Sequence, residues 1–379
     1  MNTMYSLLQV GVPRYMALSI ILLLSGNLND TQVYAGLPSE NGSTDSGNRS
    51  TEASDAQTLR HTEWIDMVPH TKDGSYYNEF WVYHVFLEND LHLHITFSLA
   101  NFGSFKSAVS GGKLFVSNFK GNNYHVLREF PREQFIVDEE THMIRLHSGR
   151  EIYLQGKLPE SHKILYQTTK NEVSYLVDLT FEDIHPGYTV GDGTFRLSGE
   201  EMGIYIHIPK ASVRGTVAIN DDTLEVSGTA YMDHTYQTDL SSKIIDKGFR
   251  HISHTENGFH TGYYLIPDNR SDTGVAGLGL LQNGSDETQL KQPRNISILE
   301  SHSVNGKSVP GRIAIDYETG ERRTLERTND FQHVSFLSEV GGLRKRLVRT
   351  FLGGEIIEYV GQGRMDDATP VNYNFLIVH

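Results

Sequence analysis

The chain has 379 residues, with 33 Lys and Arg against 47 Asp and Glu, a formal net charge of −14 and no cysteine. That balance leaves no dense basic surface to follow a nucleic acid. Without cysteine there are neither disulfides nor thiolate metal ligands, so stability must come from core packing.

Taken in chain order, the first element is a leader. Arg14 precedes Tyr15-Met16-Ala17-Leu18-Ser19-Ile20-Ile21-Leu22-Leu23-Leu24, an uncharged apolar run. It is too short to cross a bilayer, which takes about 20 apolar residues. With the small-residue pattern Val33-Tyr34-Ala35, it reads as a signal peptide over residues 1–35. The expectation is a secreted or periplasmic protein, associated with a membrane only if the leader is retained. Residues 36–60 are rich in Ser, Asn, Gly, Thr and Asp. Such a segment buries too little surface to offset its ordering entropy and reads as a disordered tether. About 320 residues then remain, enough for two domains or one large one.

Beyond the tether the dominant period is two. Leu91, Leu93, Ile95, Phe97 and Leu99 alternate with His92, His94, Thr96 and Ser98, which gives one apolar and one polar face. Later, Leu224, Val226, Gly228, Ala230 and Met232 alternate with Glu225, Ser227, Thr229, Tyr231 and Asp233. Similar runs recur as far as Ile356–Tyr359. Turn signals such as Gly121-Asn122-Asn123, Asn220-Asp221-Asp222 and Asn305-Gly306 separate them. No window carries an amphipathic helix. The pattern predicts an all-β chain of antiparallel barrels or sandwiches.

Histidine is abundant, at 18 residues. His92 and His94 share one strand face, as in some β-barrel metal sites, but Thr96, Ser98 and Ala100 supply no following carboxylate. His251, His254 and His260 do not fall on one face. These side chains read as solvated polar-face residues, and neither a metal nor a cofactor is expected.

The segment Ile204 to Val217, followed by Gly228-Thr229-Ala230-Tyr231-Met232-Asp233-His234-Thr235-Tyr236, resembles the signature region of the carotenoid 1,2-hydratase/AttH family. Asn78-Glu79-Phe80-Trp81-Val82-Tyr83 resembles that family's opening strand, and Gly353 to Gly363 its closing strands. The resemblance implies two lipocalin-like β domains in tandem: a hydratase-type domain over residues 61–238 and a second over 239–379. Members include carotenoid hydratases and fungal pericyclases that fold polyene chains. Departures matter. Tyr236 and Gln237 stand where the family has Trp and Gly. Tyr264-Leu265-Ile266, with Asp268 displaced, stands near the family's Tyr-x-Asp, which removes the expected proton donor.

Alternation constrains the candidate site. Asp233 and His234, the candidate catalytic residues, are adjacent and so point to opposite faces of a regular strand. His234 and Tyr236 continue the apolar face, behind Gly228 and Ala230, whose small size would leave room for a guest. Trp81 and Tyr83 are expected to form the opposing aromatic wall, with Tyr264 as a further ligand-binding candidate. On this reading His234→Ala weakens binding without changing the melting temperature. The function expected is an exported lipocalin-like protein that binds a lipophilic small molecule: a lipid, isoprenoid or polyene. The alternative is a hydratase or cyclase acting on a terpenoid or polyene.

Overall fold

The structure, a computed structural model, describes residues 58–72, 76–101, 107–147, 151–271, 273–284, 287–335 and 354–379. The leader at 1–35 and residues 36–57 of the tether lie outside the described residues, whereas Leu59 and Arg60, at the tether's expected end, are not disordered but belong to a strand. No described helix is long and apolar enough to cross a membrane.

The first sheet takes its strands from residues 59–237. They are β1 (Leu59–His61), β2 (Tyr77–Leu87), β3 (His92–Asn101), β4 (Val109–Phe119), β5 (Asn122–Pro131), β6 (Phe135–Asp138) and β7 (Met143–Leu146). Then come β8 (Ile152–Gln155), β9 (His162–Lys170), β10 (Val173–Glu182), β11 (Tyr188–Val190), β12 (Thr194–Leu197), β13 (Glu200–Ile219) and β14 (Asp222–Gln237). The second sheet holds β15 (Ile245–Thr255), β16 (Gly258–Pro267), β17 (Ala276–Asn283), β18 (Gln289–Leu290), β19 (Pro293–Val304), β20 (Lys307–Tyr317), β21 (Arg322–Ser335), β22 (Ile356–Met365) and β23 (Thr369–Val378). Among the described residues, helix is confined to single turns, α1 (Trp64–Met67) and α2 (Ser241–Ile244), and two 3-10 turns.

Every described strand pair is antiparallel. The main path of the 14-stranded sheet runs β5-β4-β3-β2-β14-β13-β10-β9-β8-β7-β6, with β11 and β12 also paired to β13 and β1 to β11; the nine-stranded sheet runs β18-β17-β16-β15-β23-β22-β21-β20-β19. The all-β class is as the alternation predicts, and the two sheets are as the family resemblance implies.

The first sheet curls round one apolar core. Tyr83, Val85, Leu93, Ile95 and Phe97 from one arm meet Ile144, Leu154, Ile164 and Tyr166 from the other. Each such side chain contributes about 1.5–3 kcal/mol when fully buried. A second cluster joins the sheets: Ile204, Ile206 and Tyr231 on the outer face of β13 and β14 pack with Ile252, Phe259, Tyr263 and Leu280 of the second sheet.

That contact corrects the reading of the histidines. The polar face of β3 is not solvated, because the second sheet covers it. His92 and His94 are 2% and 1% exposed, and His84 of β2 joins them at 1%. The rings of His84 and His94 stack at 4.5 Å. His84 Nδ1 lies 3.3 Å from His92 Nε2.

Gly228 is also not a space for a guest. It pairs with Leu87 of β2, and a Cβ there would stand 2.0 Å from the Phe86 carbonyl oxygen. The residue is small because two backbones approach closely. Gly228→Ala is therefore expected to cost about 1–3 kcal/mol, as overpacking does. An unchanged midpoint of denaturant unfolding would contradict this.

Candidate functional site

One end of the first sheet's core is stopped by the segment Thr62–Lys72, which carries α1. A single helical turn leaves its carbonyls without helical partners, and the inward side chains of the sheet supply donors. Trp81 Nε1 donates to Met67 O at 2.8 Å. His234 Nδ1 and His207 Nε2 donate to Asp66 O at 2.7 and 3.2 Å. Arg60 grips both Asp66 oxygens, at 2.8 and 2.7 Å, from outside. The plug is thus tied to β2, β13 and β14 through its own backbone.

Behind it sits a polar cluster. Glu79 precedes Trp81 on the inward face of β2 and is fully buried. Its Oε1 lies 2.7 Å from His234 Nε2 and accepts the His70 backbone N–H at 2.9 Å; its Oε2 accepts the Tyr77 hydroxyl at 2.5 Å. A carbonyl only accepts, and so does a carboxylate. The His234 ring thus bridges the plug's carbonyl on one side and the Glu79 carboxylate on the other. Burial pushes the Glu79 carboxyl up, but the hydrogen bonds from His234, His70 and Tyr77 outweigh it and hold it down at about 2. The Trp81 ring stacks on His234 at 4.4 Å. His70 lies between the rings of Tyr205 and Tyr236, 5.0 Å from each.

The predicted residues separate into three places. Trp81, His234 and Tyr236 converge here, the latter two on the face that alternation assigns them, with His234 directly opposite Trp81 in the register. All three are buried, so they form a packed wall and not an open mouth. His234 ties strand, plug and Glu79 together. Its removal would strand a buried carboxylate, which argues against the expectation of an unchanged melting temperature. Asp233 points the other way, as adjacency requires, and meets Arg250 of β15 at 2.5 and 3.1 Å. Tyr264 lies in the second sheet's core, with its hydroxyl 3.3 Å from that of Tyr317; it is not part of this cluster. Asp268 pairs at the surface with Arg270.

Tyr83 leads to an opening. Its hydroxyl is 2.9 Å from His162 Nε2. His162 lines a cavity of about 760 Å³ with His142, Gln155, Lys157, Phe181 and Asp183. The plug borders it, since Trp64 packs edge-on against His142 at 4.9 Å. His162 is 2% exposed, and burial drives its imidazole down to about 3, so the ring is neutral. Its Nδ1 has no hydrogen-bond partner among the described residues.

Sequence reasoning missed His70, Glu79 and His162 as site residues. A signal existed for two of them: Glu79 and His162 each interrupt an apolar face, the one shared with Trp81 and Tyr83, the other with Ile164 and Tyr166. His70 carries no such mark, because it lies outside any strand.

Two solved structures share this architecture. A protein designated AttH, from Nitrosomonas europaea, matches with a TM-score of 0.59 over 84% of this chain and 97% of its own, at 12% identity. Kievitone hydratase of Nectria haematococca matches with 0.50 over 86% of this chain and 94% of its own, at 11% identity. No protein-family model and no curated protein matches the sequence. Likeness at such identity speaks to the fold, and the fold is the AttH-like lipocalin fold.

Proposed function

Proceeding from the AttH-like lipocalin fold, we propose that the chain binds a lipophilic small molecule in the cavity beside the plug, with a polar group of that molecule against His162. One observation carries this reading: a neutral, buried imidazole in the cavity wall whose Nδ1 has no partner among the described residues. A buried polar group left unsatisfied costs about 1–3 kcal/mol, a cost that a ligand's hydroxyl or carbonyl would remove. Among the described residues of the lining, Phe181 is the one apolar side chain; the others, Gly156 apart, are polar or charged and would meet polar groups of the molecule. Export, the other half of the reading, rests on the leader.

An enzymatic reading is favoured by a separate observation, the hydrogen-bonded pair Tyr83–His162. Such a pair can pass a proton to or from a bound molecule, and a hydratase is among the proteins with this fold. Asp233 is a poor donor for alkene hydration, because Arg250 and Tyr231 already engage its carboxylate.

Tryptophan quenching tests the binding reading, since Trp64 packs on a cavity-lining residue. Retinoid, fatty-acid and carotenoid probes are expected to bind saturably to the wild type. His162→Leu is expected to bind about tenfold more weakly, equivalent to about 1.4 kcal/mol. Binding indifferent to that change, or no binding of any probe, would remove the cavity from consideration.

A further inference from the structure

We propose that His70, Glu79 and His234 form a binding site for a single divalent ion of the zinc class. The donor set is two imidazoles and one carboxylate, the combination that three-ligand zinc sites with an open fourth position use. One ligand atom from each residue lies within 4.8 Å of the others. The three come from different places: the plug, β2 and β14. Only the folded chain brings them together.

The surroundings select the ligand atoms. A ligating histidine normally donates its second N–H to a carbonyl or carboxylate, which fixes the tautomer. His234 Nδ1 does so to Asp66 O at 2.7 Å, leaving Nε2 as the ligand nitrogen. The Tyr77 hydroxyl occupies Glu79 Oε2 at 2.5 Å, leaving Oε1 turned toward both rings. The stacking of His70 between Tyr205 and Tyr236 holds its ring in place. Its side chain is 21% exposed, and that of Glu79 0%. An ion can therefore reach the pair past His70.

The distances are close to what an ion needs. Ligand atoms about 2.0–2.1 Å from a tetrahedral zinc stand about 3.3 Å from one another. His70 Nδ1 and Glu79 Oε1 are already 3.4 Å apart. His234 Nε2 and Glu79 Oε1 are 2.7 Å apart, so the pair opens by about half an ångström to admit the ion.

The test uses the full chain dialysed against a chelator and then titrated with Zn²⁺ by calorimetry. One ion per chain is expected, with micromolar or tighter affinity. Cobalt in the same site should give the intense visible bands of a four-coordinate ion. His70→Ala removes the partly exposed ligand and should weaken binding by at least about tenfold while circular dichroism stays unchanged. Glu79→Gln should abolish binding. If that variant fails to fold, His70→Ala still decides. No uptake at 100 µM Zn²⁺ would overturn the proposal, as would stoichiometric uptake that survives His70→Ala.

Discussion

Arg250→Ala is expected to destabilise the protein by about 3–5 kcal/mol, the cost of leaving one partner of a buried ion pair uncompensated. Arg250 is 4% exposed and Asp233 not at all. The guanidinium holds both carboxylate oxygens, at 2.5 and 3.1 Å, and donates to Asn374 Oδ1 at 2.7 Å. The Tyr231 hydroxyl donates to Asp233 at 2.7 Å, and the Tyr263 ring lies 4.0 Å from the guanidinium. Removing Arg250 leaves a carboxylate between two sheets without a countercharge. A paired replacement, Asp233→Leu with Arg250→Met, should recover much of the loss, because it removes both charges. Guanidinium unfolding of the three proteins measures this. A loss under about 1 kcal/mol for Arg250→Ala, the range of an exposed pair, would mean that water reaches the contact between the sheets.

The second large effect is acid lability. His84, His92 and His94 lie between the sheets. Burial drives all three imidazoles down, His92 to about 3 and the others well below the ordinary histidine range. Charge adds to this for His84 and His94, from Lys113 of β4 and Arg250 of β15. The carboxylate facing them from β22, Glu358, is engaged by Lys113 at 2.6 Å. The sign follows from the proton count. Below pH 6.5 the unfolded chain takes up protons that the native state refuses, so stability falls as pH drops from 6.5 toward 3. His92 costs about 1.4 kcal/mol per pH unit across that window, or about 2 kcal/mol at pH 5. His84 and His94 act in the same direction. His162 and His207, both held at about 3 by burial, act in the same direction. Denaturant midpoints at pH 7.5 and 5.0 should therefore differ strongly, and His92→Gln should reduce the difference by about 2 kcal/mol. Equal stability at the two pH values would show that these rings are hydrated or already charged.

Much of this molecule was legible in the chain. Alternation placed His234 and Tyr236 on an inward face and set Asp233 opposite His234, while the resemblance to the family's opening strand pointed to Trp81 and Tyr83. The run 223–236 falls within β14 and the run 91–99 largely within β3. These outcomes are local, because the pleat of a strand decides the side of each residue before any partner arrives. What covers a face is not local. The polar side of β3 was read as solvated, yet the second sheet lies on it, so three histidines became buried bases. Gly228 was read as space, yet a neighbouring backbone fills it. Glu79 and His234 are 155 residues apart and meet only because β2 and β14 are neighbours in the sheet. Strand pairing at that separation is settled by the total apolar surface a topology buries, a sum over the whole chain that no single segment carries. The plug is the extreme case. One helical turn has no pattern to read, and its position is set by the indole and imidazole donors waiting at the end of the sheet's core.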